Sequence, residues 1–150
     1  MDSAPFYTEN HGYKLKAVIY LDGYHDGEHK GKFLSLFIRV MRGKYDAILP
    51  WPFKRIVKFT LMDQQEDPDE RENVIREIVP GNDPDCFARS NKRETFGRGK
   101  PFISHTKLQS KRYVVDETLF ILVEVGSESD LYFSKTFNLI HFTQQQSEPS

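Results

Sequence analysis

Three stretches of this chain carry residue types that could do chemistry. Asp22, His25, Asp26, Glu28 and His29 crowd into one short segment, a mixture of imidazole and carboxylate suited to a divalent metal. Their spacing matches no calcium loop, whose oxygen ligands recur at alternate positions and end in a bidentate Glu. No metal is therefore assigned, and the segment reads as a polar hairpin loop. Cys86, between Asp85 and Phe87, is a nucleophile only if the fold brings His11, His105 or His141 beside it; a small buried hydrophobe is the ordinary reading. Gly97-Arg98-Gly99-Lys100 resembles a phosphate loop, yet Pro101 stands where Ser or Thr must follow the lysine, and no long helix follows. Two glycines in irregular backbone beside a sheet have another use. They let an extended peptide come close and pair with exposed N–H and C=O groups, the alternative being a bulged edge with no ligand. No paired carboxylates and no Ser, His and Asp set stand out, so neither catalysis nor a cofactor is expected.

The frame around these residues reads as strands. Positions 13–21 alternate, with Tyr13, Leu15, Ala17, Ile19 and Leu21 on one side and Lys14, Lys16, Val18 and Tyr20 on the other. Three glycines in 22–31 serve the turn, and 33–41 returns with Leu34, Leu36, Ile38 and Val40 on one face and Ser35 and Arg39 on the other. Pro50-Trp51-Pro52-Phe53 lacks ladder donors and forms a rigid corner with Trp51 and Phe53 turned inward. Residues 56–62 are the third clear strand, 74–79 a short apolar piece, and Leu119 to Val123 a strand buried on both faces or central in its sheet. Ser104 is placed to cap one helical turn through Leu108. Strands on short turns with almost no helical period predict an all-β antiparallel sandwich.

Length and composition agree. The chain has 150 residues and one cysteine, with 38% hydrophobic and 13% aromatic residues, which suits one domain without disulfides and is too aromatic for disorder. No window approaches a membrane span, and the N-terminus lacks the pattern of a secretory leader. The net charge of −1 argues against a nucleic-acid partner. It hides two opposed runs: 63–77 holds seven acids against two bases, and 88–112 eight bases against one acid.

The residues themselves carry a resemblance. Phe6-Tyr7-Thr8, Gly12-Tyr13-Lys14-Leu15, Ile19-Tyr20-Leu21-Asp22-Gly23, Leu34-Ser35-Leu36-Phe37, Leu49-Pro50-Trp51-Pro52-Phe53, Leu61-Met62-Asp63-Gln64 and Tyr113-Val114-Val115-Asp116-Glu117-Thr118-Leu119-Phe120-Ile121 follow one another as in the C-terminal TRAF domain, or MATH domain, of the TNF-receptor-associated factors. The chain resembles that family over 6–125. Gly43-Lys44-Tyr45-Asp46 and Leu49-Pro50-Trp51 are most similar to the sixth member, and Phe102-Ile103-Ser104-His105 and Phe37-Ile38-Arg39-Val40 to the fourth.

The resemblance implies an eight-stranded sandwich and a non-enzymatic, cytoplasmic adaptor. Such a domain binds short peptides of receptor tails, of the TNF-receptor or Toll/interleukin-receptor type, or of signalling proteins, as an added edge strand. Coiled-coil trimers in the family would multiply weak contacts; neither that coiled coil nor the family's ubiquitin-ligase modules occur in this chain. By family position Tyr20, Phe37 and Phe87 are aromatic wall residues, and Gly97, Arg98 and Gly99 lie on the peptide-pairing strand. Two positions depart. The family's arginine on the first hairpin strand is Val18, and its run of serines falls at Pro84, Asp85 and Cys86, leaving Arg93, Arg98 and Lys100 as anion contacts. The alternative from another class is a module that carries 88–112 onto anionic lipid. The family's own first strand is missing, and the extension over 126–142 is a candidate replacement, against a mobile tail or a strand swapped into another copy. Residues 143–150 read as a disordered polar tail.

Overall fold

A computed structural model describes residues 1–23, 31–82, 84–89, 97–126 and 133–143. The two longest alternating stretches form a hairpin, β2 (Lys14–Tyr20) and β3 (Phe33–Met41), antiparallel from Lys14↔Met41 to Tyr20↔Ser35. Period two turns Leu15, Ala17 and Ile19 to the same side as Leu34, Leu36, Ile38 and Val40, and all seven are buried. Before them comes the short β1 (Phe6–Tyr7), and after them β4 (Val57–Leu61), β5 (Val74–Ile78), β6 (Arg98–Ser104), α1 (His105–Ser110), β7 (Thr118–Gly126) and β8 (Phe133–Thr143). The strands make two antiparallel four-stranded sheets, in the orders β1-β2-β3-β6 and β5-β4-β7-β8. The core lies between them and includes Phe59, Ile121 and Val123 from the second sheet. The all-β sandwich expected from the strand pattern is the observed fold.

The corner after β3 is set by hydrogen bonds as well as prolines. Trp51 Nε1 donates to the Asp46 carbonyl at 2.8 Å, and Tyr13 Oη donates to the Pro50 carbonyl. Tyr13 packs edge-on to both Trp51 and Phe53, with centroids 5.1 and 4.8 Å away. Phe53 is buried and Trp51 half-buried, so both turn inward. Ser104 Oγ accepts from Lys107 N and caps α1. β7 is central in its sheet, and its inward residues Leu119, Ile121, Val123 and Val125 are buried while the outward ones are half-buried.

The far edge of β2 is covered by the N-terminus. Ser3 N donates to the Ala17 carbonyl, Ile19 N to the Met1 carbonyl, and Ala17 N to Ser3 Oγ at 2.9 Å. At the other side of the sandwich β8 lies along β7. Residues 144–150 lie outside the described residues.

Asp63 ties the end of β4 to the segment entering β5. It is 2% exposed and accepts from Gln65 N, Gln65 Nε2 and Glu72 N. Burial pushes its carboxyl up, but the N–H groups of Glu72 and Gln65 outweigh that and hold it below the usual carboxylate value. A depressed folded pKa contributes stability above the unfolded value of about 3.9, lost as pH falls through the folded value. Asp63→Asn, left with one acceptor oxygen, is expected to lose about 1–3 kcal/mol at pH 7. That deficit should shrink below roughly pH 4 as wild type loses its own carboxylate, as denaturant titrations at pH 7 and pH 3 will show.

Candidate functional site

Among the described residues β6 pairs only with β3, so its outer edge borders no strand. The register Phe37↔Gly99 and Ser35↔Pro101, continued by Val18↔Phe37 and Tyr20↔Ser35, places Val18, Tyr20, Phe37 and Gly99 on the outer, solvent face of the first sheet, Val18 itself being buried there. There Tyr20 and Phe37 meet edge-on at 5.4 Å. Gly99 lies under the Phe37 ring: a Cβ there would come within 3.0 Å of three ring atoms. Gly97 has φ +72°, and its missing Cβ leaves room for the Ile38 carbonyl. Both glycines are required by close approach, and they leave no side chain on β6 beside the Phe37 ring, Pro101 being the next residue of that parity.

The same register separates the cations from that wall. Arg98 pairs with Ile38 and Lys100 with Leu36, positions of inward parity, and at the sheet edge both side chains remain exposed. They line a cleft of about 240 Å³ with Gly99 and with Glu77, Ile78 and Val79 of and after β5. An irregularity opposite Leu34 and Ser35 then resets the strand, so that Phe102 and Ile103 are both buried. The edge is thus flanked by aromatic rings on one face and by Arg98, Lys100 and Glu77 on the other.

Phe87 is not on the wall. It is fully buried, 0% exposed, its ring 6.1 Å from that of Phe53 and its carbonyl accepting from Phe53 N. Asp85 is exposed and Cys86 half-buried against the core. The histidines that Cys86 would need lie elsewhere. His11 packs on Tyr45, His105 Nε2 bonds the Leu21 carbonyl, and His141 stands beside Phe120. Arg93, His25, Asp26, Glu28 and His29 fall outside the described residues, among which no cluster of three metal-ligating side chains occurs.

Sequence reasoning missed Arg39. On the same solvent face, Arg39 Nη2 donates to Tyr20 Oη at 3.1 Å, reaching past Phe37 from two register rows away. A guanidinium thus arrives beside Tyr20 and Phe37 from the neighbouring strand. Its alternation with Phe37 was legible; its reach to Tyr20 depends on register. The basic run is also less uniform than its sequence. Lys107 and Lys111 Nζ lie 2.8 and 3.9 Å from the Glu72 carboxylate, so the acidic and basic runs meet at α1.

The first of the two antiparallel sheets thus presents an edge strand between an aromatic face and a charged cleft. The TRAF/meprin, MATH domain family matches residues 1–122. TNF receptor-associated factor 1 of Mus musculus is 43% identical over 122 residues, covering 79% of this chain and 28% of that protein. TNF receptor-associated factor 5 of Mus musculus is 37% identical over 126 residues, covering 82% and 22%. Among solved structures, TRAF5 of Notothenia coriiceps superposes with a TM-score of 0.73 at 34% identity, over 83% of this chain and 61% of that one. This chain belongs to the TRAF/MATH family, and its fold is that of a protein-interaction adaptor domain. It spans under a third of the length of the curated relatives named here. No helix among its described residues is long and apolar enough to cross a membrane.

Proposed function

We propose that this domain is a non-enzymatic adaptor that captures an extended protein segment as a fifth strand on the β6 edge. The observation that carries the reading is the β6 edge itself, unpaired by any other strand among the described residues and walled differently on its two faces. Side chains of an added strand alternate between the faces. One parity meets Tyr20 and Phe37, with Arg39 behind them; the other enters the Arg98 and Lys100 cleft. Gly97 and Gly99 let the backbone approach. An anionic side chain on the cleft parity and an apolar one on the wall parity make the best ligand.

By similarity to proteins named TNF receptor-associated factors, the segment is a cytoplasmic receptor tail or a signalling protein. Assembly as a homotrimer would add avidity to a weak single site. An anionic membrane surface is the lesser reading, because Lys107 and Lys111 are engaged by Glu72.

Calorimetric titration decides. An acidic extended peptide should bind wild type, and Arg98→Ala should weaken it by roughly 10-fold, the worth of one charge-assisted hydrogen bond. Moving the acid by one residue, to the wall parity, should remove the sensitivity to Arg98. Unchanged affinity in Arg98→Ala for both peptides sinks the cleft assignment. Co-sedimentation with anionic but not neutral vesicles, without peptide binding, would favour the membrane.

A further inference from the structure

The second sheet ends in a strand that the family match does not include. That match stops at residue 122, and β8, Phe133–Thr143, lies wholly beyond it. Yet β8 occupies the full edge of β7. The pairing is regular from Thr118↔Thr143 to Glu124↔Phe137, then slips before Gly126↔Phe133. On the other side of β7 the ladder runs on undisturbed, Gly126 N donating to the Ile56 carbonyl at 2.8 Å. Register is therefore held by the C-terminal half of β8. There Ile140 and Phe142 enter the core at 9% and 3% exposure, and Thr143 Oγ1 meets Thr118 Oγ1 at 2.9 Å. Leu139 and His141, of the opposite parity, face outward.

This is the anatomy of a bound peptide: main-chain pairing along an edge and two alternate apolar anchors, with His141 between them turned outward. We infer that the β7 edge is a second strand-binding site, distinct from β6, and that its ligand is this chain's own segment 133–143, bound intramolecularly and exchangeable. Phe142 also forms one wall of a groove of about 300 Å³, with Met1, Leu21, His105, Val114 and Leu119. Any competitor must supply an aromatic or large aliphatic side chain there and another two residues earlier. The linkage at 127–132, which begins Ser-Glu-Ser-Asp, keeps the ligand at an effective concentration on the order of millimolar, so a free strand competes poorly with it until the link is cut.

The test starts from the intact chain with a protease site inserted between 126 and 133. After cleavage the two parts should stay together, and a fluorescent peptide of sequence 131–143 should replace the native strand. Ile140→Ala or Phe142→Ala in that peptide should weaken competition by roughly 30-fold or more. Before cleavage the label should enter far less. No uptake after cleavage, or equal competition by the anchor variants, overturns the proposal. Hydrogen exchange on the uncut chain gives an answer even if the cut protein unfolds. Protected amides in 139–143 should exchange faster than those of Leu122 and Glu124, whose N–H groups face β4, yet slower than free peptide. Exchange at the free-peptide rate, or only with the global core, overturns it, as does a strand-swapped dimer by light scattering.

Discussion

Gly99→Val is expected to abolish peptide capture at β6 while leaving a folded sandwich. The position lies opposite Phe37 in the ladder, and a Cβ there would fall within 3.0 Å of ring atoms close to the Phe37 backbone, which have little freedom to yield. The ring must rotate away, losing its edge contact with Tyr20, or β6 must move from β3. Overpacking of this kind costs about 1–3 kcal/mol. Both responses ruin the ligand face, one by removing its wall and the other by displacing its pairing edge. An acidic extended peptide should bind at least roughly 100-fold more weakly, the equivalent of losing 2–3 kcal/mol. Calorimetry reads the affinity and denaturant unfolding the stability. Native affinity at lowered stability would place the ligand elsewhere.

Why the site was only half legible follows from what a strand pattern contains. Alternation assigns each residue to a face of its own strand, which is enough to place Leu34, Leu36, Ile38 and Val40 in the core and Arg39 outside it. It does not say which residues of two strands lie side by side. The division between the Phe37 wall and the Arg98 cleft is a fact of register, Gly99 facing Phe37 and Arg98 facing Ile38, and the irregularity after Pro101 resets parity in the same strand. The N-terminal cover of β2 was hidden for a different reason. It is made by backbone groups and Ser3 Oγ, and residues 1–5 show no apolar period. The C-terminal strand was legible in place but not in parity: Leu131, Phe133, Phe137 and Leu139 alternate at hairpin distance from β7, yet Leu139 is exposed and Ile140 and Phe142, of the other parity, enter the core.

The second large effect separates burial from binding. Phe87 is aromatic like Tyr20 and Phe37, but its ring is wholly enclosed and its main chain bonds Phe53. Phe87→Ala should therefore cost about 3–5 kcal/mol in stability through the cavity left beside Phe53. For a chain of this length that is a fall in melting temperature of roughly 10 °C. Affinity per folded molecule should change little, because the ring offers a ligand no surface. Phe37→Ala should behave oppositely. Half-buried on the solvent face, its ring supports Tyr20 and shields Gly99, so its loss should cost only about 1 kcal/mol of stability yet weaken an apolar-anchored peptide by roughly 10-fold or more. Titrating both variants below their melting transitions, with the folded fraction measured by circular dichroism, compares the two directly. Should Phe87→Ala lose binding at native stability, Phe87 would be a ligand contact, and its enclosure would have to open when the strand arrives.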